Sequence, residues 1–140
     1  QNQLNAGTKL MAMVKAFGYG SGGFEIANLL QFQKVDYLAV AFTDEGVELR
    51  KGGITLPIMV MNAEPYTYEL LLQYQLQPEI FSFNSLQNFT RFLEDNDVAN
   101  FPIHIKIDTG MRRLGFELGE IDELGRMLKA NDRVKVQSVF

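Results

Sequence analysis

The order of its apolar runs constrains this chain more than any other feature: six segments of strand length, separated by residues spaced for one face of a helix. The pattern predicts strands at 9–14, 37–42, 58–61, 78–83, 103–107 and from 134 onward, with helices over 25–33, 44–51, 66–74, 85–95 and 119–130. Short links between unlike elements imply parallel strands joined by right-handed crossovers. The runs are apolar at successive positions, as in Tyr37-Leu38-Ala39-Val40-Ala41-Phe42, so both faces of the sheet are expected to be covered. A complete (β/α)8 barrel takes about 200 to 250 residues. The 140 residues here therefore supply at most six of its eight strands, and an open doubly wound sheet would fit the length better. Length alone does not decide between the two.

Composition narrows the function classes. With 46% hydrophobic and 21% charged residues the chain has the balance of a soluble domain, and a net charge of -4 implies no broad basic surface for nucleic acid. The absence of cysteine excludes disulfides and thiolate metal sites. His104 is the only histidine, and it reads as a hydrogen-bonded strand residue; no metal is expected. No apolar run approaches the roughly 20 residues of a membrane helix, and no basic-then-apolar signal opens the chain, so a cytoplasmic location is expected. The chain opens on Gln1-Asn2-Gln3-Leu4-Asn5, which looks like the tail of a helix stopped by Gly7, and it closes within the strand-like run Val134 to Phe140. A fragment of a larger protein is the expectation.

Two segments carry chemistry. In Met11-Ala12-Met13-Val14-Lys15-Ala16-Phe17-Gly18-Tyr19-Gly20 a short apolar run ends in a lysine and passes into a glycine-rich turn. An amine at the C-terminal lip of a strand lies where α/β folds keep their active sites. Lys15 either marks the point where the strand meets solvent or serves as an amine nucleophile, for instance in a Schiff base. The glycines at 18, 20, 22 and 23 match neither dinucleotide nor P-loop spacing; they make a tight turn, or a nest for an anion ahead of the next helix. In Lys106-Ile107-Asp108-Thr109-Gly110-Met111-Arg112-Arg113-Leu114-Gly115 charge again gathers at the end of an apolar strand. Strand alternation would put Lys106 and Asp108 on one face, where a buried ammonium needs a counter-charge or chemical neutralisation. Arg112 or Arg113 suits bidentate contact with a carboxylate or phosphate. Asp44 and Glu45 read as acidic residues complementing the dipole at a helix start.

Together these segments resemble alanine racemases of the fold-type III pyridoxal phosphate enzymes. The likeness rests on Val14-Lys15-Ala16 with Tyr19-Gly20, on Asp44-Glu45-Gly46 with Leu49-Arg50, and on Lys106-x-Asp108-Thr109-Gly110-Met111-x-Arg113-x-Gly115, in that order along the chain. It implies an incomplete pyridoxal phosphate-binding barrel domain over 1–140, a partial (β/α)8 TIM-type barrel of about six parallel strands, with a β-rich C-terminal domain beyond the chain. Lys15 would hold the cofactor as a Schiff base and move protons on one face of the substrate α-carbon. Tyr19 would hydrogen-bond the cofactor phosphate, and Arg113 would bind cofactor and substrate carboxylate. Lys106 would be the lysine that is often carbamylated. The whole protein would interconvert L-alanine and D-alanine for cell-wall peptidoglycan synthesis, as a cytoplasmic homodimer.

Phe17-Gly18 and Ser21 depart from the family's usual residues, which touches tuning more than chemistry. The second catalytic base and the remaining cofactor contacts would lie past Phe140, so the 140-residue piece is expected to be inactive and to self-associate through unpaired strand edges. Other readings of the same pattern are a non-enzymatic pyridoxal phosphate carrier on a single barrel, and another fold III racemase or decarboxylase.

Overall fold

The computed structural model describes residues 5, 7–20 and 22–140, with the backbone alone at 17 and 19. Most of the helix tail expected over 1–5 and the departure at residue 21 lie outside the described residues. The chain forms two compact units, residues 1–63 with 69–76 and residues 64–68 with 77–140.

In the first unit β1 (Met11–Met13) passes through a one-turn helix α1 (Ala16–Tyr19) into α2 (Gly23–Phe32), followed by β2 (Tyr37–Phe42), α3 (Thr43–Lys51) and β3 (Ile58–Asn62). The strands are parallel and follow chain order, Ala12 beside Leu38 and Val40 beside Val60. Leu38, Val40, Ile58 and Val60 are fully buried, as expected of strands covered on both faces. Of the helix face expected at Ile26, Leu29 and Leu30, Leu29 is exposed and the small Ala27 is buried instead. Polar contacts fix that seating, since Gln31 Oε1 accepts the Thr55 N–H at 2.8 Å. Arg50, near the end of α3, donates to the carbonyls of Ile54 and Leu56 at 2.7 Å each and to that of Tyr74 at 3.0 Å, joining the link into β3 to the end of α4 (Tyr68–Tyr74).

The second unit carries β4 (Leu76–Ile80) from its second residue onward, α5 (Phe83–Asp95), β5 (Phe101–Ile105), α6 (Ile121–Lys129) and β6 (Val134–Val139). These strands are also parallel in chain order, and the β5–β6 register slips between Ile103 and His104. Its core is aromatic: Phe89 and Phe116 are fully buried, Tyr68 meets Phe89 edge-on at 4.9 Å and Phe83 meets Phe116 at 5.2 Å. The strand expected to reach residue 83 stops at Ile80. Ser82 Oγ accepts the Ser85 N–H at 3.1 Å while Ser85 Oγ accepts the Ser82 N–H at 3.1 Å, a reciprocal cap that starts α5 early.

Among the described residues no helix is long and apolar enough to cross a membrane, and no group of three or more His, Asp or Glu side chains is placed to hold a metal ion.

Candidate active site

In the first unit the polypeptide leaves β1 at Lys15. The Val14 N–H donates to the Ala39 carbonyl at 2.8 Å, the last ladder bond before the lysine. Val14 is buried and Lys15 half-buried, and among the described residues the Lys15 amine has no hydrogen-bond or ion-pair partner. Ala16 follows with φ 51°, and Gly18, Gly20 and Gly22 have φ of 63°, 88° and 91°. These left-handed positions are what the glycines supply, and they turn the chain through α1 into α2. Tyr19 closes α1; its side chain lies outside the described residues.

Glu45, read from sequence as a dipole-complementing charge, does more than that. Its Oε1 accepts the Ala16 N–H at 2.7 Å, and its Oε2 accepts the N–H groups of Ala41 at 2.7 Å and Phe42 at 3.1 Å. One carboxylate thus joins the turn after Lys15 to the exit of β2.

In the second unit Lys106 follows β5. Its ammonium lies 3.2 Å from Glu79 Oε1, and the Glu79 side chain is fully buried on β4. Burial pushes the Glu79 carboxyl up from its usual range, against the opposing pull of Lys106. Glu79 Oε2 is buried and, among the described residues, makes no hydrogen bond. The counter-charge required by Lys106 is therefore another residue's carboxylate. Lys106 and Asp108 do not behave as neighbours on one strand face, because β5 ends at Ile105 and Asp108 turns into the loop. Asp108 Oδ1 accepts the N–H groups of Gly110 at 2.8 Å and Arg112 at 3.0 Å, which hold its carboxyl below the usual range.

The loop is closed at its neck by backbone bonds, Asp108 N–H to the Phe116 carbonyl and Phe116 N–H to the Lys106 carbonyl, both 2.9 Å. Arg113 sits on its exposed arc, with its guanidinium against Met111 Sδ at 2.9 and 3.2 Å. No carboxylate among the described residues pairs with Arg113, and its guanidinium is not on Lys106. His104 is buried between Ser138 Oγ, 2.7 Å from Nδ1, and Gln77 Oε1, 2.9 Å from Nε2. The amide oxygen of Gln77 only accepts, so Nε2 carries the proton and the Ser138 hydroxyl donates to Nδ1; the histidine is a satisfied strand residue, as expected.

Sequence reasoning missed Glu79 and the bridging part of Glu45. The signal for Glu79 was present, an acid inside the apolar strand Leu76–Ile80, and that strand pairs with the one that ends just before Lys106.

The family model described as alanine racemase, N-terminal domain, matches residues 1–140. The alanine racemase of Clostridium kluyveri is 35% identical over 94% of this chain and 34% of its own length, and that of Synechocystis is 40% identical over 95% of this chain and 36% of its own. The chain spans about a third of the length of these curated relatives. Among solved structures, Clostridium difficile alanine racemase in complex with cycloserine superposes with a TM-score of 0.90 at 33% identity, covering 99% of this chain and 38% of that one. The Enterococcus faecalis enzyme (E. faecalis) does so with a TM-score of 0.90 at 30% identity, over 99% and 38%. The alternating parallel strands and helices are thus part of an α/β barrel, and the open doubly wound alternative is set aside.

Proposed function

The chain belongs to the alanine racemase N-terminal domain family, and from that premise we propose that it is the incomplete N-terminal barrel domain of a pyridoxal phosphate-dependent alanine racemase. The observation that carries the reading is Lys15: a half-buried amine without a partner among the described residues, at the C-terminal end of a barrel strand, followed by a turn of left-handed glycines. Those residues fit the cofactor, since a partner-free amine is what an aldehyde condenses with and a glycine turn entering a helix offers backbone N–H groups to a phosphate. When bound, pyridoxal phosphate supplies the electron sink that lets a hydrogen leave the substrate α-carbon as a proton.

The chain's own residues supply position and proton transfer. Lys15 Nζ holds the cofactor covalently and, once released from it, takes or returns the α-proton on one face of the substrate. The Tyr19 hydroxyl binds the phosphate. Arg113, whose guanidinium has no carboxylate partner among the described residues, binds the substrate carboxylate through two parallel hydrogen bonds. Lys106 is the candidate for carbamylation, in which its neutral amine adds carbon dioxide to form a C–N bond; the change from ammonium to carbamate would replace a cation facing Glu79 with an anion and release two protons, one to the Glu79 carboxyl and one to solvent. The whole protein is proposed to be a cytoplasmic homodimer that supplies D-alanine for peptidoglycan, with the second base contributed from outside residues 1–140.

The test is interconversion of L-alanine and D-alanine by the full-length protein with pyridoxal phosphate. Lys15→Ala is expected to lower kcat by about a thousandfold or more, and a variant that keeps its rate would refute the assignment. The same preparation, equilibrated with 13C-bicarbonate, should carry the label on Lys106; its absence from Lys106 would remove carbamylation from the proposal.

A further inference from the structure

We infer that Glu45 is a positioning residue for Lys15, its carboxylate fixing the backbone from which the lysine projects. The inference rests on the proposed role of Lys15 as cofactor lysine. The backbone on either side of Lys15 is held by different means. On the N-terminal side the ladder bond from Val14 N–H to the Ala39 carbonyl, at 2.8 Å, ties it to β2. On the C-terminal side the ladder has ended, and Ala16 has φ 51°, a conformation that a residue with a Cβ adopts at a cost and keeps only when its surroundings impose it.

Glu45 is what imposes it. Its Oε1 accepts the Ala16 N–H at 2.7 Å, and its Oε2 holds the Ala41 and Phe42 N–H groups at 2.7 and 3.1 Å, at the end of the same strand that anchors Val14. The carboxylate continues the β1–β2 connection by one residue where main chain can no longer do so. Lys15 is consequently clamped between two attachments to β2.

The chemistry selects the residue. Three N–H donors converge on two oxygens, and only a carboxylate accepts at both ends. Glutamine would turn an NH2 group toward donors on one side. Aspartate keeps the charge on a side chain one methylene shorter, too short to span both strand exits. Near-attack geometry at a nucleophile is steep, and a displacement of about 1 Å costs about a hundredfold in rate. Loosening Ala16 should therefore act on the chemistry of Lys15 rather than on substrate affinity.

The test compares wild type, Glu45→Gln, Glu45→Asp and Ser82→Ala in the full-length protein. Each is mixed with pyridoxal phosphate and reduced with borohydride at timed intervals; the aldehyde condenses with the amine, expelling water, and hydride fixes the resulting C=N bond as a secondary amine. Modification of the Lys15 peptide is counted by mass, alongside unfolding free energy, kcat and KM for L-alanine. Ser82→Ala, which removes the α5 cap, controls for lost stability and should modify Lys15 at the wild-type rate. Both Glu45 variants should modify Lys15 at least about tenfold more slowly and lose kcat with little change in KM. Wild-type Lys15 kinetics in either Glu45 variant, or an equal slowing in Ser82→Ala, would overturn the positioning role alone. Failure of the wild type to modify Lys15 would overturn the cofactor-lysine reading beneath it.

Discussion

At the scale of single residues, titratable groups lie in three different settings. His104 is buried with both ring nitrogens engaged, and burial lowers its pKa to about 4 from 6.5. The unfolded chain therefore binds a proton between those values that the folded chain refuses. Stability from this residue is fully present above pH 6.5 and falls as pH drops toward 4, by at most about 3 kcal/mol. Urea unfolding of wild type and His104→Gln across that window should show the acid-side slope in the first and its loss in the second; parallel curves would contradict this account. Lys106 faces a buried acid, whereas Lys15 has no ion-pair partner among the described residues. The difference was half legible in the sequence. Both lysines are conspicuous because they end apolar runs, but Glu79 lies 27 residues before Lys106, and only the register of β4 against β5 brings the two together. Glu45 was seen as a charge, and its three acceptor bonds were not, because they depend on where β1 and β2 end.

At the scale of elements, apolar runs announced the strands and caps set their limits. The runs at 37–42 and 58–61 became β2 and β3 nearly residue for residue, since successive apolar side chains are what a doubly covered strand requires. The run at 78–83 was cut short by the Ser82–Ser85 cap, and the one-turn helix α1 was hidden in a glycine-rich stretch whose propensity argues for a turn. The loop between Asp108 and Phe116 depends on Gly115, which has φ 132° and whose added Cβ would stand 2.6 Å from the Asp108 nitrogen. That contact is with main chain and cannot yield by a rotamer change. Gly115→Ala should lower unfolding free energy by about 1–3 kcal/mol, against little change for Gly119→Ala, where a Cβ meets nothing within 4 Å. Equal effects of the two substitutions in denaturant titrations would show that the neck tolerates displacement.

At the scale of the molecule, the chain spans about a third of its curated relatives, and large apolar side chains stand exposed on a helix end at Phe32, on a turn at Leu118 and on β6 at Val139. Racemisation through two bases needs proton donors on both faces of the α-carbon, whereas the reading proposed above places one, Lys15, within 1–140. Residues 1–140 alone should therefore show no more conversion of L-alanine to D-alanine than their Lys15→Ala variant in a chiral amino-acid assay. Turnover above that background would mean that both protons are managed inside the piece. The fold class could be argued from element order but not decided, because an open sheet and part of a barrel share the same alternation of strands and helices; the choice came from likeness to solved structures.

The backbone neck at Lys106, Asp108 and Phe116 has a practical consequence. Because both ends of the arc fasten to the same strand exit, and Phe116 is seated in the core while Thr109 to Leu114 lie outside it, that stretch is a cassette. An engineer can vary the side chains of its tip other than Gly110, which has φ 124°, and Arg113, which the proposed chemistry needs, while the sheet beneath keeps its register.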